Sequence, residues 1–212
     1  MPKIEVHHLN NSRSQRILWL LEELGLDYDI VRYQRDPVTR LAPPGLKAVH
    51  PLGKAPVIRD GGLVVAESGA IVEYLVGRYG NGRLAPPRDF GSPDYVSYLH
   101  WLHFAEGSAM LPLLLKLYVS RLKEAGAPLS PRIESELKNH FDYMSAALGD
   151  RDYFVSNTFS AADIQLSFVL DAGGARGPLA NYPNLARLAE RLRSRPAYQR
   201  AIERGGPYEV GR

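Results

Sequence analysis

The chain has 212 residues, of which 45% are apolar and 23% charged, with a formal net charge of +3. That length holds one large domain or two modest ones, and the composition is that of an ordinary soluble globule rather than a disordered or fibrous chain. There is no cysteine, which excludes disulfides, cysteine-ligated zinc and any mechanism that uses a protein thiol. No basic, apolar and small-residue signal precedes the first strand, and no apolar run approaches the length of a bilayer span. The expected compartment is the cytoplasm, with no membrane partner.

Ile4 and Val6 alternate with polar neighbours and predict a short strand over 3–6. Ile17, Leu20, Leu21 and Leu24 recur at helical spacing, and Gly25-Leu26 supplies a stop. Residues 28–33 read as a second strand. Residues 35–49 carry Pro37, Pro43, Pro44 and Gly45 and read as a loop. Residues 57–59 and 63–65, joined by Asp60-Gly61-Gly62, predict a hairpin. A helix over Ser68–Tyr79 follows, with Ile71, Val72, Leu75 and Val76 on one face.

Gly82, Pro86, Pro87, Gly91 and Pro93 mark a linker, and beyond it no strand pattern is present. Helical patterns cover about 94–123, 131–148, 161–171, 184–193 and 197–203. The expected organisation is an α/β unit over 1–80, a linker over 81–92 and an all-α unit over 93–212. The arginines at 187, 191, 193, 195, 200 and 204 alternate with Glu190, Glu203, Leu188, Leu192 and Ile202. They read as helices with solvated faces, not as a nucleic-acid surface.

Two stretches carry chemistry in the first unit. In Gly53-Lys54-Ala55-Pro56-Val57, the proline fixes φ and removes one N–H. A cis bond there would turn the chain and leave the Val57 N–H and C=O open to an extended ligand. Ten residues later Glu67-Ser68 opens a helix, where free N–H groups favour a carboxylate while Glu67 can hold an ammonium. One edge could therefore grip a small zwitterionic peptide. The second stretch is Leu9-Asn10-Asn11-Ser12-Arg13-Ser14-Gln15-Arg16, between the first strand and first helix. Ser12 or Ser14 could simply cap that helix. The Pro56 turn, however, would set a ligand beside the same terminus, which makes Ser12 a candidate ligand-facing hydroxyl. Asn11 and Arg13 flank it and could supply the donor or charge instead, and Ser14 is a further candidate.

In the helical half, Ser160-Ala161-Ala162-Asp163 has capping-box spacing and reads as structural. His100 and His103 have no evident third ligand, so no metal is expected. Pro112 inside a helix should push against the Ser108 carbonyl and bend it. Met110, Leu111, Leu114 and Tyr118 near that bend could line an apolar wall, with ordinary core packing as the alternative.

Gly53-Lys54-Ala55-Pro56-Val57 with Glu67-Ser68, Ser12 four residues before Arg16, and the Ser160–Asp163 motif together resemble the glutathione transferase family, from Lys3 to about Arg204. The resemblance implies a thioredoxin-like α/β domain with a mixed four-stranded sheet, followed by an all-α domain. It implies glutathione as co-substrate, no metal cofactor, and a homodimer. Val57 would pair with the cysteinyl backbone of glutathione, beside Ala55 and Pro56. Glu67 and Ser68 would take the γ-glutamyl end, and Lys54, or less well Arg40, the glycyl carboxylate. The branch implied is a Ser-type one, in which Ser12 donates to the sulfur. No Cys-type thiol exchange is available, and Asn10-Asn11-Ser12-Arg13 does not match the Ser-Ser-Cys run of maleylacetoacetate isomerases.

The chemical task is modest. A free thiol has a pKa of about 8.5, and bringing it to about 6.5 needs roughly 2.7 kcal/mol of thiolate stabilisation. One hydrogen bond to a charged acceptor gives about 1.5–3 kcal/mol, and a helix terminus adds several tenths. The expected activity is addition of the thiolate to hydrophobic electrophiles, walled by Met110, Leu111, Leu114 and Tyr118. Glutathione-dependent peroxide or disulfide reduction, or ligand binding without turnover, are the alternatives.

Overall fold

In the computed structural model, which describes residues 3–210, the chain divides into two compact units. One runs up to Leu84 and also takes in Arg193–Glu209; the other is Ala85–Leu192.

The first unit is built on a four-stranded mixed sheet. Strand β1 (Ile4–Leu9) pairs in parallel with β2 (Tyr28–Tyr33), the crossover being helix α1 (Ser14–Leu24). On its other side β1 pairs antiparallel with β3 (Val57–Asp60), which pairs antiparallel with β4 (Leu63–Ala66) through the expected Gly61-Gly62 turn. The order β2-β1-β3-β4, closed by helix α3 (Ser68–Tyr79), is the thioredoxin-like arrangement. Val6 lies opposite Ile30 on one side and Ile58 on the other. Against the sheet α1 buries Ile17, Leu18, Leu20 and Leu21, and α3 buries Ile71, Val72 and Leu75. Gly25 ends α1 in the left-handed region at φ +68°, as its sequence position predicts.

The stretch expected to be a loop holds a short helix, α2 (Gly45–Val49), which sinks Leu46 into the core. Pro43 and Pro44 precede its first turn, where a missing N–H costs nothing. Prolines read as loop punctuation thus serve to start a helix.

The last helix of this unit, α9 (Pro196–Gly205), packs on α1. Arg195 reaches both carboxylate oxygens of Glu23 at 2.6 and 3.0 Å, while Arg200 and Arg204 meet Glu22 at 2.8 Å each. Burial works against the Glu22 charge, but hydrogen bonds from Arg200, Tyr28 and Arg204 hold its carboxyl below the usual range. The arginine-rich end was expected to present solvated faces. Arg200 and Arg204 are indeed exposed, and with Arg195 they also clamp the last helix onto α1, in ion pairs whose partners lie far apart in sequence and leave no periodicity to read.

The second unit is all-helical: α4 (Pro93–Phe104), α5 (Met110–Val119), α6 (Ser130–Leu148), α7 (Ala161–Arg176) and α8 (Pro183–Arg193). Helix α7 is its axis, with every residue from Ala161 to Gly173 buried. A side chain at Gly173 would meet Phe141 Cζ at 2.5 Å, so only glycine lets α6 approach. The capping box starts α7 as expected: the Asp163 carboxylate accepts from the Ser160 N–H at 2.9 Å and from the Phe154 N–H at 3.2 Å. The helix expected over 94–123 is interrupted twice. Residues Ala105–Ala109 form a π turn, in which the Met110 N–H reaches the Ala105 carbonyl, and a 3-10 segment, Ser120–Leu129, breaks at Lys123. The irregularity tied to Pro112 therefore falls one turn ahead of it, where widening the helix relieves the clash with the preceding carbonyls. Among the described residues no helix is long and apolar enough to cross a membrane.

Candidate active site

Three segments meet at one end of the sheet. The register places His7 opposite Val57 and Val57 opposite Ala66, so the exit of β1, the entry of β3 and the exit of β4 are neighbours. Loop 10–13, residues 54–56 and Glu67-Ser68 extend from these strand ends. The Ala55–Pro56 bond is cis. Pro56 is buried, Ala55 half-buried and Lys54 exposed. Val57 has a strand on either side, so its backbone is not open to a ligand as the sequence reading expected. Ala55, two residues before the ladder, is the last residue of this turn that carries a backbone N–H.

At the amino end of α3, Ser68 is buried and its Oγ accepts from the Arg16 guanidinium at 2.7 Å. Arg16 is itself only 2% exposed and stands in the first turn of α1. It joins the starts of the two helices and adds a positive charge where the α3 N–H groups already favour an anion. Glu67 is exposed and holds φ +69°, ψ 119°, a conformation that L side chains rarely adopt. Backbone strain of this kind costs about 1–3 kcal/mol and concentrates at functional sites. Arg40 also has a positive φ, but it is exposed in loop 35–41, where its carbonyl accepts from Arg35 and its N–H meets the Asp36 carbonyl.

Loop 10–13 is pinned from several directions. The Arg35 backbone N–H donates to Asn10 Oδ1 at 2.8 Å, and its side chain donates to the carbonyls of Asn10 and Asn11. Asn11 sits at φ +50°, a region asparagine tolerates. Ser12 is only 4% exposed, and its hydroxyl donates to the Leu9 carbonyl at 2.7 Å. Its other hydroxyl neighbour, Ser14 Oγ, also lies at 2.7 Å.

His8 fixes the direction of that network. Burial, reinforced by the Arg32 charge, pushes its pKa down to about 4, opposed by a hydrogen bond with the Gly205 backbone. The ring is therefore neutral. Donation to Gly205 uses its single N–H, so Nδ1 accepts from Ser14 Oγ at 2.9 Å. The Ser14 proton being committed, the Ser12 proton has only inward destinations, Leu9 O or Ser14 Oγ. Ser12 Oγ also accepts from the Ser14 N–H at 3.2 Å. It thus braces the turn into α1, whose N-cap is Arg13 with no side-chain cap, and its proton points inward. Asn11 and Arg13 are the half-exposed members of the loop.

In the second unit the four wall candidates part company. Met110 is buried core, whereas Leu111 and Tyr118 are each 57% exposed and Leu114 is half-buried. Leu111, Leu115 and Tyr118 recur at helical spacing and form one apolar face of α5. His100 hydrogen-bonds Tyr143 at 2.9 Å and stacks on Phe104.

Residues 2–77 match the family described as Glutathione S-transferase, N-terminal domain, and residues 108–196 match Glutathione S-transferase, C-terminal domain. The chain belongs to the glutathione S-transferase family. It is 33% identical to Glutathione S-transferase 1 of Saccharomyces cerevisiae, over 96% of each chain. The crystal structure of a glutathione S-transferase from Actinobacillus pleuropneumoniae superposes with a TM-score of 0.88 at 35% identity, covering 97% of this chain and 94% of that one. A glutathione S-transferase from Methylobacterium radiotolerans, solved in complex with glutathione sulfonate, gives a TM-score of 0.78 at 26% identity, covering 97% and 95%.

In this transferase, Arg35, His8 and the Glu209 tail shape the loop without having drawn notice as sequence. Arg35 stands in a proline-rich stretch, and His8 alternates as any strand residue would. Arg16 could have been found, since a charged residue on the first turn of an otherwise apolar helix signals a partner. Relieving the strain at Glu67 separates stability from binding. Glu67→Gly should stabilise the fold by about 1 kcal/mol. It should weaken glutathione binding about tenfold, through one lost charge-assisted hydrogen bond. Urea denaturation and calorimetry on the same preparation check both.

Proposed function

We propose that this transferase binds glutathione across the sheet end, ionises its thiol, and adds the thiolate to hydrophobic electrophiles. The observation that carries the reading is the Arg16–Ser68 bond at 2.7 Å, which backs the α3 terminus with a buried positive charge. There the γ-glutamyl carboxylate would sit, with its ammonium on Glu67. The cysteinyl backbone would run along Ala55, on the near side of Pro56, and Lys54 would meet the glycyl carboxylate.

The sulfur would then lie at loop 10–13. The side chain best placed to donate to it is Asn11, because the Ser12 proton is committed inward. The Asn11 amide orientation is fixed by the Glu209 N–H donating to Oδ1 at 2.8 Å, which leaves the NH2 group as the donor end. Arg13, half-exposed beside it, adds positive charge. The thiol proton leaves to water. The thiolate forms a carbon–sulfur bond, and the electrophile loses a leaving group or takes up a proton. Proximity supplies much of the acceleration. The assembly we expect is a homodimer.

Calorimetry with reduced glutathione, followed by turnover assays with a chloronitroaromatic and with cumene hydroperoxide, tests the reading. Binding with turnover of the chloronitroaromatic is the expected result. Binding with turnover of the peroxide alone would make the enzyme a peroxidase. Binding without any turnover would make it a ligand carrier, and the absence of binding would remove the proposal.

A further inference from the structure

The segment after α9 does not trail into solvent. Gly205 lies so close to His8, Gln15 and Leu18 that a Cβ there would meet Gln15 Oε1 at 2.7 Å and Leu18 Cδ1 at 2.8 Å. Tyr208 is buried. The next residue, Glu209, makes a two-point contact with Asn11: its N–H donates to Asn11 Oδ1 at 2.8 Å, and its Oε2 accepts from Asn11 Nδ2 at 3.4 Å. Pro207 and Glu209 wall a cleft of about 150 Å³ whose other side is His8, Asn10, Asn11 and Arg32.

An asparagine at positive φ has no helix or strand to fix its side chain, and an amide can turn either end toward a ligand. A backbone N–H can only donate, so it selects the orientation in which Oδ1 faces Glu209 and the NH2 group carries the remaining donor capacity. The Glu209 carboxylate engages one of those two hydrogens and strengthens the same choice. We propose that Glu209 is a positioning residue for the thiolate donor: the carboxyl-terminal segment holds the Asn11 amide in its donating orientation. The inference rests on the reading of Asn11 as the group that meets the sulfur.

Glu209→Pro removes the N–H and the carboxylate together while keeping the chain length. The pKa of bound glutathione, read by ultraviolet absorbance of the thiolate, should rise by about one unit, a tenfold loss of thiolate at low pH. The dissociation constant should stay within about twofold, since Ser68, Glu67 and Ala55 are untouched. Glu209→Gln, which restores the N–H and an amide oxygen, should recover most of the shift. In an Asn11→Ala background Glu209→Pro should add nothing, a coupling that a merely structural role would not produce.

An unmoved pKa and kcat in Glu209→Pro, or additive shifts in the double variant, would overturn the proposal. If Glu209→Pro loses its cooperative melt, the α-hydroxy analogue of glutamate at position 209, which replaces that N–H by an ester oxygen in the full chain, carries the test. A partial rise in pKa supports the inference, and none overturns it. Failure of the unaltered enzyme to ionise glutathione would instead bring down the reading beneath it.

Discussion

Lowering the pH from 7 to 4 should remove about 3 kcal/mol of folding stability through His8 alone, since each tenfold change in proton affinity is worth about 1.36 kcal/mol. Burial and the neighbouring Arg32 charge bring the folded imidazole down to about 4 from its ordinary 6.5. Between those values the unfolded chain binds a proton that the folded chain refuses, so acidification favours unfolding. The contribution is fully present above pH 6.5 and is lost as pH falls toward 4. Asp163, in the helical unit, runs the other way: burial raises its carboxyl to about 6, so its share of stability grows on acidification. The difference between the natural protein and His8→Asn removes that second effect. Urea midpoints at pH 7, 5.5 and 4 should converge as pH falls, the variant losing ground at pH 7 and keeping it at pH 4. A difference constant across the range would mean that His8 titrates normally in the fold.

Asn11→Ala and Ser12→Ala should part in their effects on chemistry. Loss of one N–H donor to a charged sulfur removes about 1.5–3 kcal/mol, which raises the bound thiol pKa by about one to two units. At pH 6.5, where a thiol of pKa about 6.5 is half ionised, that lowers thiolate-limited kcat/KM by about 5- to 50-fold. Ser12→Ala should leave the pKa in place and instead destabilise the fold by about 1 kcal/mol, since its buried hydroxyl bonds Leu9 and Ser14 in the turn into α1. Titration of the thiolate absorbance in both complexes checks the pair. A rise in the Ser12 variant with none in Asn11→Ala would mean that the hydroxyl re-aims when glutathione binds.

Much of the first unit was legible because its signals are local. The β1–α1–β2 alternation, the Gly61-Gly62 hairpin and the Ser68–Tyr79 face each show their periodicity within a dozen residues. Glu67-Ser68 after Pro56 is an equally local signal, and the family resemblance rests on it. What escaped depends on direction or distance. Nothing in Asn10-Asn11-Ser12-Arg13 tells which side chain turns inward; that follows from His8, whose neutrality follows from its burial and the nearby Arg32 charge. Val57 looked open because a strand pattern does not say which edges its neighbours cover. The membership of α9 in the first unit rests on Glu22 and Glu23 meeting arginines almost the whole chain away. Met110 and Leu111 are adjacent and equally apolar, yet one is core and the other exposed, because successive residues of a helix point about 100° apart and an all-apolar run does not say which faces inward.

The clamp between α1 and α9 also sets an order of events at the ribosome. Glu23 and its partner Arg195 are 172 residues apart, so at about 5–20 residues per second the acidic side of α1 waits roughly 10–35 s for its cover. During that interval the sheet unit is incomplete while the helical unit emerges and can fold. The nascent protein therefore closes its first-made half last, and chaperones have that window in which to hold it.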